Sequence, residues 1–375
     1  MVEKRGNSAH IITYHNSYSY GACLQAYASQ VVFEKLGFDV RFVDYHNCCE
    51  DDSLGKSAWA LLFKGKVKKA VSTGLRNVLG YRRYSLKAFA DYHSSVPKTS
   101  ICSRSLDDFQ DLETDLLVVG SDQMWNASIS GGLDPAFLLD FGRAERRISF
   151  ATSMGSYIFA SKDISLARRC LSRFAAISVR ESHAKSQIAA VVDDDVFVCL
   201  DPTLLVGPND WRAYAKKPRG IHDSESYLLV FTINNRPENA WGVWDRCAHE
   251  LGVPVYRIAN NRVPVSHIDK TLRGVTPQEF VWLIDHADYV VTDSFHGTAF
   301  SLNLETPFTV IPNKHGNNVR MTELLKLTGL EDRFVDLDES WSNTTSVDFS
   351  TARDRLACRK SECIDWVFQA VGARE

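Results

Sequence analysis

Short apolar runs of strand length alternate with helical stretches along this chain, and that alternation restricts it to the α/β class with mainly parallel sheets. In the first half the strand runs are His10 to His15, Val40 to Val43, Leu116 to Val119, Ile148 to Ala151, Ala176 to Val179 and Val196 to Leu200. Ala22 to Leu36 reads as a helix that Gly37 ends as a left-handed cap, and Ile164 to Phe174 reads as another. Gly207, Pro208, Pro218 and Gly220 mark a linker. The alternation then restarts, with strands at Tyr227–Ile233, Val255–Ile258, Tyr289–Val291 and Phe308–Ile311 and helices at Asn239–Leu251, Phe280–His286, Met321–Thr328 and Thr351–Val371. Thr276-Pro277-Gln278-Glu279 starts one of them, with a hydroxyl cap, proline at the first position and glutamate three residues on.

At 375 residues the chain exceeds one ordinary core. The expected division is 1–205, with a basic helical insert at about 50–100, then 206–347 and a C-terminal helix over 348–375. Two such halves would set the carboxyl ends of two sheets across a cleft, where ligands bind in folds of this kind. Hydrophobic residues at 45% and charged residues at 24% are those of a globular protein, and a net charge of −3 gives no general pull toward nucleic acid. Met1 to Asn7 is short and charged, and no apolar stretch reaches the roughly 18 residues of a spanning helix. A cytoplasmic protein is expected, peripheral to the inner face of the cytoplasmic membrane if the insert binds there. The nine cysteines are scattered with no C-x-x-C pair, so idle thiols are expected rather than a metal or disulfide framework.

Two strand-to-helix turns gather chemistry. In Asp288-Tyr-Val-Val-Thr-Asp-Ser-Phe-His-Gly-Thr-Ala-Phe300 a buried strand opens a helix near Gly297, directing backbone N–H groups and a positive dipole end at whatever binds there. His296 in that turn is a group able to move a proton at neutral pH, or else a helix cap. In Val118-Val-Gly-Ser-Asp-Gln-Met-Trp-Asn126 the same plan places Ser121, Asp122, Gln123 and Asn126 beside Trp125, polar groups and a ring suited to sugar hydroxyls. Arg180 directly follows a strand and offers a planar fork to a phosphate or carboxylate, although Glu181 could be its structural partner. Asp201-Pro202-Thr203 reads as a turn. Lys314, His315 and Arg320 follow a later strand, as a surface loop or an anion site. G-x-G-x-x-G, complete P-loop, G-x-S-x-G and H-E-x-x-H patterns are absent from the sequence.

Thr13-Tyr14-His15, Tyr20-Gly-Ala-Cys-Leu-Gln-Ala-Tyr27, Val119–Asn126, Ser178-Val-Arg-Glu181, Asp201-Pro-Thr203 and Asp293-Ser-Phe-His-Gly297 resemble, in order and spacing, the polysaccharide pyruvyl transferase family. The resemblance implies two Rossmann-like domains in a GT-B-like arrangement. It also implies phosphoenolpyruvate as co-substrate with no cofactor, and a sugar of a surface polysaccharide or its lipid-linked precursor as acceptor. On it, His296 and Asp122 are the expected catalytic pair. Arg180, Ser294, Gly297, Thr298, Lys314 and Arg320 are the expected donor contacts, and Ser121, Gln123, Trp125, Asn126 and His15 the acceptor contacts; no metal is expected. Ser294 stands where many relatives carry arginine, so Arg320 or Lys314 is expected to supply that charge. A nucleotide-sugar glycosyltransferase and a non-catalytic carbohydrate-binding relative are the alternatives.

Between Lys56 and Phe89 there is no acidic residue but nine basic ones, interleaved with Trp59, Leu62, Phe63, Val67 and Leu75 at helical spacing. Such a face packs its apolar stripe on the protein or meets an anionic membrane. For the membrane contact the expected result is sedimentation with anionic liposomes that weakens at high salt and is lost in a Lys66→Glu, Lys68→Glu, Lys69→Glu variant.

Overall fold

The computed structural model describes residues 7–47, 49, 83–233, 240–260, 264–313, 318–335, 337 and 345–372. The chain divides into two compact units. Unit 1 comprises residues 1–53, 93–206 and 359–375, and unit 2 comprises 54–92 and 207–358.

In chain order the first elements are β1 Ser8–Ile12, α1 Tyr20–Lys35, β2 Asp39–Tyr45, helix α2 at 83–95, β3 Lys98–Ser103, β4 Glu113–Val119, α3 Ala127–Ser130 and β5 Arg143–Thr152. Then come α4 Ile164–Leu171, β6 Ala176–Val179, α5 Ser182–Ala189, β7 Val196–Val198 and α6 Pro202–Leu205. They are followed by α7 Pro208–Tyr214, β8 Leu228–Phe231, α8 Trp241–Leu251, β9 Val255–Ile258, β10 Lys270–Leu272, α9 Pro277–Asp285, β11 Tyr289–Thr292, α10 Phe295–Leu304, β12 Phe308–Val310, α11 Val319–Thr328 and α12 Ser350–Ala370.

Unit 1 carries a seven-stranded sheet in the order β3-β2-β1-β4-β5-β6-β7, and unit 2 a five-stranded sheet in the order β10-β9-β8-β11-β12. Among the described residues every strand pairing is parallel. The reason is legible in the strands: β11 is buried along its whole length, as is the Leu116–Val119 end of β4, so both faces must be apolar. In each sheet the strand order reverses once, between β1 and β4 in unit 1 and between β8 and β11 in unit 2. At such a reversal the two flanking connections leave in opposite directions and open a crevice at the carboxyl ends.

Differences from the sequence reading sit at the margins. The edge strands β3 and β10 escape it because they are polar and only partly covered, without the apolar run that a doubly buried strand requires. The expected linker begins as a helix: Gly207 is its cap and Pro208 its first residue, and Trp211 anchors it in the core. Residues 83–92 of the basic segment belong to unit 2, where Asn260 donates to Ser85 and Gly274 lies against Tyr84. Most of the segment, Lys56 to Arg82, lies outside the described residues. Among the described residues no helix is long and apolar enough to cross a membrane.

The Thr276–Glu279 start forms a complete capping box: Thr276 Oγ1 accepts from Glu279 N, and Glu279 accepts from Thr276 N at 2.8 Å. Thr276→Ala is expected to lower the unfolding free energy by about 1 kcal/mol, measured by urea denaturation.

Candidate active site

The reversal point of unit 2 is built around Thr292. Its hydroxyl donates to the Phe231 carbonyl on β8 (2.7 Å) and accepts from Ser294 N (3.1 Å), locking the strand end to its neighbour. Asp293 Oδ1 accepts from Ile233 N (2.6 Å) and closes the same seam. Ser294 caps α10, its hydroxyl accepting from Gly297 N. A Cβ on Gly297 would run into Thr292 Oγ1 and come within 3.0 Å of Thr292 Cβ, so only glycine lets the first turn sit this close to the strand.

That turn presents His296, half-buried, with its ring edge-on to Phe295 at 5.2 Å. The Arg320 guanidinium, at the start of α11, lies over the Phe295 ring at 5.4 Å. Asn313 holds the two connections together, donating to Asn318 Oδ1 through its N–H (3.0 Å) and to the Asp293 carbonyl through its amide (3.5 Å). An imidazole and a guanidinium thus lie against one ring, Phe295, at a helix N-terminus whose first turn holds no acidic residue. Lys314 and His315 lie outside the described residues.

Two expected donor contacts are corrected here. The Ser294 and Thr298 side chains are buried, and Thr298 Oγ1 donates back to the Ser294 carbonyl at 3.0 Å. These hydroxyls build the turn instead of lining a binding surface.

Unit 1 has its reversal point between β1 and β4. Asp122 sits in the left-handed region with φ of 79°, which an aspartate tolerates, and its Oδ1 accepts from Gln123 N at 2.8 Å. Its carbonyl accepts from Met124 N and Ser153 N, both at 2.8 Å, so the strain is held by two neighbouring segments. Ser121 is buried and donates to Asp201 Oδ2 at 3.2 Å. Arg180, also buried, forms an ion pair with Asp201 and reaches Ser121 Oγ at 3.3 Å. Burial works against the guanidinium's charge, but Asp201, Glu181 and Asp122 outweigh it and keep Arg180 firmly protonated. The bonded partner of Arg180 is thus Asp201; Glu181, fully buried, accepts from Ser153. Asp201 further caps α6 by accepting from Thr203 N at 3.0 Å.

Gln123 and Asn126 form an amide pair at 2.8 Å, seated on Gly155, where a Cβ would approach Gln123 Cδ to 2.9 Å. Asn126 also caps α3 through Ser128 N. Trp125 is a correction: it is fully buried, its indole donates to the Phe137 carbonyl at 2.8 Å and its ring packs on Phe174, so no sugar can stack on it. His15 is a correction as well. Only 1% exposed, it stacks on Phe42, and burial pushes its pKa below the usual histidine value.

The residue that sequence reasoning missed is Asp44, one place before the end of β2. Asn16 donates to its Oδ1 at 2.7 Å, His46 lies 3.0 Å and His15 3.4 Å from the same oxygen, and Lys98 lies 3.8 Å from the other. Burial would raise this carboxyl, but His15, Lys98 and Asn16 outweigh it and hold it well below the usual carboxylate range. An acid inside the apolar run Val40–Tyr45 was the available signal.

The family model for polysaccharide pyruvyl transferase matches residues 20–315, a span that contains Asp122, Arg180 and His296. The chain belongs to the polysaccharide pyruvyl transferase family. Arg320 lies just beyond the span matched by the family model. No curated protein matches the chain by sequence. Among solved structures, the Methanocaldococcus jannaschii UDP-GlcNAc 2-epimerase in complex with UDP-GlcNAc and UDP is 12% identical, with 96% of this chain and 99% of that one covered and a TM-score of 0.45. Arabidopsis thaliana UGT89C1 complexed with UDP-L-rhamnose is 10% identical, with 98% and 100% covered and a TM-score of 0.46. These likenesses are weak, and membership of the family rests on the sequence match.

Gly297→Ala is expected to destabilise unit 2 by about 1–3 kcal/mol through overpacking against Thr292. Thermal unfolding of the variant checks this.

Proposed function

We propose that this pyruvyl transferase family member moves a pyruvyl group from phosphoenolpyruvate to a sugar of a surface polysaccharide, or of its lipid-linked precursor, as a cyclic ketal. The reading is supported above all by His296 in the first turn of α10, beside a Phe295 ring that carries the Arg320 guanidinium. Phosphoenolpyruvate carries a phosphate, a carboxylate and an electron-rich methylene carbon. Such a donor needs a guanidinium and a helix dipole for its anions and an acid for its carbon. His296 supplies the acid, placing a proton on the methylene carbon and leaving the central carbon electrophilic. One sugar hydroxyl bonds to that carbon and loses its proton. A second hydroxyl then displaces phosphate, with the carbon–oxygen bond to phosphate breaking as the ketal closes.

Asp122 is the proposed acceptor of a hydroxyl proton, with Gln123 and Asn126 beside it; Ser121, buried against Asp201 and Arg180, supports the site instead of meeting the sugar. Arg180 is proposed as a donor contact whose fork is fixed by Asp201. Arg320 replaces the arginine that Ser294 lacks, with Lys314 as a second cation. The membrane contact of the Lys56–Phe89 segment is proposed from its sequence alone.

His296→Ala is expected to cut phosphate release from phosphoenolpyruvate, with acceptor present, by at least about a hundredfold while leaving circular dichroism unchanged. A variant with the wild-type rate removes His296 from the chemistry. Arg320→Gln is expected to raise KM for phosphoenolpyruvate about tenfold, the equivalent of one charge-assisted hydrogen bond, with a smaller effect on kcat.

A further inference from the structure

We propose that the carboxyl ends of β1, β2 and β3 carry a site for a borderline divalent cation of zinc type, ligated by Asp44, His46 and Cys102; His15 lies outside the cluster these three form and adjoins it at Asp44. The order β3-β2-β1 sets these strand ends side by side. The donor atoms of Asp44, His46 and Cys102 all lie within 4.8 Å of one another. A carboxylate, an imidazole and a thiolate are the donor types that zinc takes, with bonds of about 2.0–2.3 Å that set tetrahedral ligands roughly 3.3–3.8 Å apart. His46 Nε2 is already 3.0 Å from Asp44 Oδ1, and Cys102 is exposed, so rotation of its side chain supplies the remaining closure.

His15 points to the same ligand independently. Its Nδ1 lies 3.0 Å from the Thr13 carbonyl, and a carbonyl only accepts, so Nδ1 carries the hydrogen. In the neutral ring Nε2 is then a bare lone pair. It faces Asp44 Oδ1, another acceptor, at 3.4 Å in a setting where His15 is 1% exposed, and it has no hydrogen-bond partner. A neutral His15 thus turns a lone pair toward the carboxylate, a pairing that a proton or a metal ion between the two would satisfy. An imidazole oriented by a backbone carbonyl through its other nitrogen is also the arrangement that metal-ligating histidines use. Asn16 Nδ2 donates to Asp44 Oδ1 at 2.7 Å, and Lys98 stands 3.8 Å from Oδ2 while donating to Asn16 Oδ1 at 3.0 Å. Asn16 thus holds the carboxylate oxygen that faces both histidines and Lys98 the other, so the carboxylate is fixed at both ends. Binding releases the Cys102 thiol proton and takes His46 as the tautomer that carries its hydrogen on Nδ1, and the ion clasps the three strand ends together. The cysteine spacing predicts no metal because the ligands come from three different strands.

The test uses the full chain, stripped with a chelator and titrated with Co²⁺. One equivalent is expected to produce a thiolate-to-cobalt charge-transfer band that Zn²⁺ removes. Cys102→Ser is expected to abolish the band with circular dichroism unchanged, Cys358→Ser, at another exposed thiol, to retain it, and His15→Gln to weaken binding about tenfold. The proposal is overturned by the absence of a stoichiometric band, by a band that survives in Cys102→Ser, or by nuclear magnetic resonance showing that a proton alone joins His15 to Asp44 with no metal bound.

Discussion

In both units a parallel sheet is buried between covering elements, so a side chain that must meet a ligand has one outlet, the carboxyl rim where strand gives way to loop. The chemistry of the chain follows from that restriction. His296, Asp122 and Arg180 each stand within four residues of a strand's carboxyl end, and the first two flank the point where strand order reverses. The backbone there leaves the ladder and needs new hydrogen-bond partners, which Thr292, Ser294, Asp293 and Asp201 provide.

The two rims differ in charge. In unit 2 a helix dipole and Arg320 stand with a half-buried histidine, a setting that favours an anion. In unit 1 the carboxylates of Asp122, Glu181 and Asp201 surround the single guanidinium of Arg180. A ligand rich in hydroxyl groups suits that rim better than one carrying several negative charges. The two rims therefore divide by charge, and local geometry expresses the division.

The sequence made the strand-to-helix turns legible because a doubly buried strand demands an unbroken apolar run, and polar residues after it have few other places to be. It also showed the capping box at Thr276, since that motif is local. It misled where the question was which way a polar group points. Ser294 and Thr298 look like phosphate ligands but bond their own turn, and Trp125 looks like a sugar platform but fills the core. Asp44 was invisible for a related reason: its partners His15, Asn16 and Lys98 come from other strands, and only the strand order brings them together.

The C-terminal helix α12 has a consequence for biosynthesis. Its second half covers β7, the edge strand of unit 1: Trp366 stacks on Phe197 at 5.4 Å, Leu200 N donates to Cys363 Sγ, and Arg359 donates to the Val198 carbonyl across 161 residues of sequence. A ribosome adding about 5–20 residues per second needs roughly ten to thirty seconds to make that stretch. For that time the first-made unit waits with an uncovered sheet edge, the kind of surface that pairs with other nascent chains.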